Sequence, residues 1–128
     1  MLQPIKNWWL DNRLLVALAV SVAIVVLSLV PPTVMPHTGI TVSDKFLHSL
    51  AYMVLLWVWL LVYKDRKRLQ TGIILILSLT IFGIILEVLQ GALTTYRTPD
   101  VLDALADLVG LILGFISFQL LYQYIFDN

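Results

Sequence analysis

Four apolar runs, Leu14–Val30, Phe46–Tyr63, Gly72–Gln90 and Ala104–Phe126, leave this chain little choice of fold. Each is close to the roughly 20 residues that a helix needs to cross the ~30 Å hydrocarbon core of a bilayer. They are apolar on every side rather than along one stripe, so a water-soluble core could bury only part of each. Within lipid a chain must satisfy its own backbone N–H and C=O groups, which restricts such runs to helices. Composition agrees: 60% of residues are hydrophobic and 12% charged, against about half and a quarter in soluble domains. The sequence therefore predicts an all-α integral membrane four-helix bundle, with residues 1–128 as one transmembrane domain and no internal repeat.

Polar residues mark the ends of the runs. Pro31 and Pro32 lack amide donors and stop the first. Ser43 is expected to cap the second, with Asp44 at the positive end of its dipole. Thr98 and Pro99 are expected to cap and open the fourth. Trp8, Trp9, Tyr63, Tyr122 and Tyr124 fall where interfacial aromatic residues belong. No small-x-small site precedes the prolines, so the first run reads as a retained span rather than a cleaved leader.

Lysine and arginine set the expected orientation. Lys6 and Arg13 precede the first run, and "YKDRKRLQ" places Lys64, Arg66, Lys67 and Arg68 between the second and third. The other two connections hold only Lys45 and Arg97. Both termini and the basic connection are thus expected in the cytoplasm, with "PPTVMPHTGITVSDK" and "GALTTYRTPDVLD" outside. The basic connection could also touch anionic lipid. A net charge of zero gives no field for nucleic acid, and the absence of cysteine excludes disulfides, thiolate catalysis and cysteine-ligated metals.

Against this apolar background the acids stand out. At about 100° per residue, Asp100, Asp103, Asp107, Gly110, Gly114 and Ser117 share one helix stripe. Thr80, Gly83, Glu87, Gln90 and Thr94 share another, and Asp44, His48 and Tyr52 recur at every fourth residue on a third. All three stripes carry their polar ends at one level. Ionisable residues in spanning segments face protein or a wet cavity, because lipid exposure costs about 2.5–3.5 kcal/mol at the bilayer centre. The expected ligand-binding constellation is Asp44, Lys45, His48, Tyr52, Glu87, Gln90, Arg97, Asp100, Asp103 and Asp107, forming a polar pocket that opens outward. Asp44, Asp100 and Asp103 could equally be dipole partners in first helical turns. Glu87 is either functional or ion-paired with Arg97. Gly110 and Gly114 read as a close helix-packing face, and His37 as a solvated loop residue.

Three pieces carry a resemblance: "DKFLHSLAY", then "EVLQ", then "YRTPDVLDALADLVGLILG". In order and spacing they resemble the VanZ-like family of bacterial membrane proteins, over about Asp44 to Gly114. Where that family commonly has asparagine this chain has Asp107, which accepts hydrogen bonds but donates none when ionised. The resemblance implies a multi-pass protein of the bacterial cytoplasmic (inner) membrane with an envelope role, extending to resistance to the lipoglycopeptide teicoplanin.

Three readings of the cluster follow. Five carboxyls against Lys45 and Arg97 leave three excess negatives, relieved by protonation, a cation or a basic ligand. The first reading is recognition or sensing of an envelope amphiphile, a membrane lipid or lipid-linked envelope precursor, with Lys45 and Arg97 on its anionic group. The second is an intramembrane enzyme acting on a lipid-linked phosphate or sugar. Its catalytic candidates are His48 as base and Glu87 as acid, and Asp100, Asp103 and Asp107 are candidate ligands for Mg²⁺ or Ca²⁺. The third is an assembly or proton-coupled transport subunit, in which the glycine face would build a homo-oligomer. No cofactor other than such a cation is expected.

Overall fold

Among the described residues there are five helices: α1 Gln3–Asp11, α2 Arg13–Leu29, α3 Asp44–Val62, α4 Arg68–Leu93 and α5 Val101–Phe126. The structure, a computed structural model, describes residues 3–31, 43–63, 68–96 and 98–126. Segments Asp44–Val62, Leu69–Leu93 and Val101–Tyr124 are each long and apolar enough to cross a membrane. Helix α2, with 17 residues, reaches a fourth crossing only when taken together with α1, from which it is bent by 69°. The outward faces are what lipid requires: Ile73, Leu77, Ile81, Ile84 and Val88 of α4 are all exposed. The chain is an all-helical, multi-pass membrane protein with three or four candidate spans.

Two helix starts differ from the sequence expectation. Ser43 does occupy the N-cap of α3, but its side chain makes no capping bond. Helix α5 starts at Val101, beyond Thr98 and Pro99, because Asp100 takes the capping role: its Oδ1 accepts from the Leu102 N–H at 2.9 Å. Pro99 instead lies against α4, its ring occupying the space that a methyl on Gly91 would need. The leader, which the sequence reading left outside any span, is itself the helix α1. Pro4 sits in its first turn, where the missing N–H costs nothing.

Helix α3 is central and packs on α2, α4 and α5, burying Tyr52, Leu55, Leu56, Val58 and Leu60. Its tightest partner is α5, which runs parallel to it. Gly110 lies so close that an added methyl would fall on the Ser49 carbonyl, and a methyl on Gly114 would stand 3.1 Å from the Met53 oxygen. That approach lets the Trp57 Nε1–H reach the Gly114 carbonyl at 2.9 Å and the Ser117 Oγ at 3.2 Å. Leu75 and Leu79 of α4 and Leu111 of α5 complete the core around Tyr52, Leu55, Leu56 and Leu60.

Helix α2 runs antiparallel to α3 and is held more lightly. Ala17 is its buried residue. Its polar ties are the Trp59 Nε1–H to Ser21 Oγ at 3.1 Å, the Gln90 Nε2–H to the Ser28 carbonyl at 2.8 Å, and the Tyr96 hydroxyl to the Leu29 carbonyl. Two cavities lie along this seam. One of about 540 Å³ is lined by Ser21, Trp59, Tyr63, Thr71 and Phe82 among others. The second, of about 310 Å³, lies at the opposite end.

Candidate functional site

The first turns of α3 and α5 and the last turns of α4 and α2 meet at one end of the bundle. Because α3 and α5 are parallel and joined through Gly110, their acidic first turns are forced side by side. Lys45 lies between them. Its Nζ is 2.6 Å from Asp100 Oδ2 and also donates to Asp103 Oδ1. One ammonium thus bridges two carboxylates that would otherwise repel. Asp100, outside the spanning segments, has its pKa lowered, first by the Lys45 hydrogen bond and then by the Leu102 N–H.

One turn deeper, His48 Nδ1 stands 2.8 Å from Asp107 Oδ1. Its other nitrogen, Nε2, is 3.8 Å from Asp44 Oδ2 and 3.8 Å from Asp103 Oδ2. Asp107 is 2% exposed and Asp103 7%, so both acids are withdrawn from lipid and water. An ionised Asp107 would accept a hydrogen from this ring nitrogen. Gly83 makes the space: a methyl there would stand 2.9 Å from Asp107 Oδ2 and 3.1 Å from the Tyr52 hydroxyl. The glycine on α4 is a notch into which side chains from α3 and α5 fit.

Glu87 is buried and accepts the Asp100 backbone N–H at 3.1 Å, tying the end of α4 to the start of α5. Gln90 is buried too, but points its amide at α2. Lys45, His48, Asp44, Asp100, Asp103, Asp107, Glu87 and Tyr52 thus gather at one end. Gln90 sits at the edge, and Arg97 and His37 lie outside the described residues. Gly110 and Gly114 lie beneath the cluster in the α3–α5 contact. Among the described residues, the donor atoms that converge as a metal site would require are those of Asp44, His48 and Asp103, all within 4.8 Å of one another. This differs from the trio Asp100, Asp103 and Asp107, in which Lys45 engages Asp100 and His48 engages Asp107.

The 310 Å³ cavity opens beside this cluster, between α2, α3 and α4. Asp44, His48, Tyr52, Gln90 and Ser28 give it a polar wall, and Ile24, Leu27, Leu47 and Ala51 an apolar one. The contribution of α2 escaped the sequence reading. Ser28 is one of two serines in an apolar run, with Ser21, and no pattern distinguishes its carbonyl as a partner for Gln90.

A family model described as a membrane-associated sensor domain, MASE3, matches residues 5–128. No curated protein and no solved structure matches the chain. The match overturns the resemblance to the VanZ-like family, and the teicoplanin-resistance reading falls with it. The physical reason lies in what each rests on. The resemblance used short polar pieces at helix ends, which recur wherever membrane helices cap their termini with carboxylates and pair them. The match extends through the leader and the apolar helices as well.

Proposed function

The chain belongs to the MASE3 family of membrane-associated sensor domains, and from that premise we propose that it senses an amphiphile whose headgroup enters the cavity between α2, α3 and α4. The observation that carries the reading is the two-faced lining of that cavity. Asp44, His48, Tyr52 and Gln90 suit hydroxyl or amine donors, while Ile24, Leu27, Leu47 and Ala51 suit the start of an alkyl chain. Burial on α2 is slight, so an occupant that contacts α2 would shift its position against α3 and α4 by differential affinity for two arrangements. We place the polar end on the outer side of a bacterial cytoplasmic membrane, supported by the lysines and arginines of "YKDRKRLQ" at the opposite ends of α3 and α4.

Native mass spectrometry of the protein released gently from its own membrane tests this. Wild type is expected to retain an adduct of lipid mass. Ala51→Leu, which fills the cavity, is expected to lose it, and Ala19→Leu on the exposed side of α2 to keep it. If all three proteins carry the same adducts, the lipid is peripheral and the cavity is not the sensing site.

A further inference from the structure

Asp44, His48 and Asp103 bring one nitrogen and two oxygen donors within 4.8 Å of one another. We propose that these three residues form a divalent-metal site at the polar end of the bundle, with Asp107 as the positioning residue for the imidazole.

The ring orientation is the first argument. When Asp107 is ionised it can only accept, which assigns the hydrogen to the Nδ1 atom 2.8 Å away. The neutral imidazole then presents the Nε2 lone pair to Asp44 and Asp103. A carboxylate behind a ligating histidine, fixing its tautomer and its angle, is the usual support of such a ligand. The spacing is the second argument. At 3.8 Å from Asp44 Oδ2 and from Asp103 Oδ2, Nε2 hydrogen-bonds to neither. A point equidistant from three atoms so spaced lies within roughly 2.5 Å of each, and a small inward movement gives the ~2.0–2.2 Å of a bound transition ion.

The side chains are also held as ligands should be. Asp103 gives one oxygen to Lys45, which leaves Oδ2 directed at His48. Asp44 has a side chain 63% exposed, which leaves an entry route from the water side. Charge favours a cation. Among the described residues, Asp44, Glu87, Asp100, Asp103 and Asp107 face Lys45 alone as a fixed positive group, an excess of four negatives when all are ionised. A divalent ion would halve it. One imidazole with two carboxylates suits borderline ions such as Zn²⁺ or Mn²⁺ better than Ca²⁺, which prefers an all-oxygen shell. Further coordination positions would be left for water or a ligand oxygen. The site stands on this geometry and does not depend on which amphiphile, if any, occupies the neighbouring cavity.

The test uses the full chain in detergent micelles with Mn²⁺ as the sole added ion, followed by electron paramagnetic resonance. About one equivalent should bind, Zn²⁺ should displace it, and the pulsed spectrum should carry ¹⁴N coupling from a directly bound imidazole. Asp44→Asn, at an exposed position that does not put folding at risk, should weaken binding at least about tenfold. Asp100→Asn removes the same charge from the same end but no donor, and should change affinity less than about threefold. Absence of binding at millimolar Mn²⁺, bound Mn²⁺ without ¹⁴N coupling, or equal losses in the two variants would each overturn the proposal. The last outcome would reduce it to diffuse attraction by a negative surface.

Discussion

The two seams of α3 follow opposite designs. Against α5 it packs backbone to backbone through Gly110 and Gly114, with Trp57 tied across the contact. Against α2 it leaves cavities of about 310 and 540 Å³, with the Trp59 Nε1–H to Ser21 Oγ bond crossing between the two helices. Both seams join apolar helices in the same solvent, so hydrophobicity does not separate them. Small residues do: van der Waals contact between helices in lipid depends on how closely backbones approach. The sealed seam holds the ionisable cluster together, and the open seam leaves the space that the proposed amphiphile would occupy. A sensor needs both, a rigid reference and an element that can move against it.

The sharpest way to break this comparison is to thicken each seam in turn. Gly110→Ala drives a methyl into the Ser49 carbonyl and should cost about 3 kcal/mol, near the top of the overpacking range. Ala51→Leu enters a cavity and should stay within roughly 1 kcal/mol of wild type. Reversible unfolding in mixed micelles, followed by far-ultraviolet circular dichroism, reads both, and similar losses would show that the seams are equally packed. A middle-sized test removes one indole donor from each seam. Trp57→Phe should cost about 1 kcal/mol and Trp59→Phe about 0.5 kcal/mol, within the range found for hydrogen bonds between membrane helices. A reversed order would make α2 the better-anchored helix.

The smallest expected effect concerns the cluster itself. The pKa of Asp100 is lowered on folding by Lys45 and the Leu102 N–H. Its contribution to stability is therefore complete above the ordinary carboxylate pKa of about 3.9, and is lost as pH falls through the lower folded value. Melting temperature should drop less between pH 6 and pH 3 in Asp100→Asn than in wild type. Identical pH profiles would mean that the Lys45 bridge at the sealed seam contributes nothing measurable, as exposed pairs often do.

Much of this was legible in the residues. The run lengths matched α2 to α5 but not α1, and the stripes on three polar helix ends set His48, Glu87, Asp103 and Asp107 at one level. Periodicity cannot say which carboxylate meets which cation. Asp100 proved to be a cap as well as a partner of Lys45, and Thr98 neither caps nor opens α5. The converging donor atoms of Asp44, His48 and Asp103 lie around His48 rather than among Asp100, Asp103 and Asp107, because Asp100 and Asp107 are engaged by Lys45 and His48. Family likeness was the weakest inference, since it rested on three short polar pieces between Asp44 and Gly114, whereas the family model matches residues 5–128.

Sequence by itself determined that this protein is a set of membrane-crossing helices with its carboxyl cluster at one end. Both properties are local: a backbone in lipid must bond within its own segment, and a charge there must lie near a helix terminus or face protein. The tertiary structure alone decided that α5 rather than α2 lies tight against α3, that Gly83 houses Tyr52 and Asp107, and that His48 turns one nitrogen to Asp107 and the other toward Asp44 and Asp103. Those outcomes depend on helix rotation and approach, fixed by contacts between residues some sixty positions apart in the chain, which no helical period encodes.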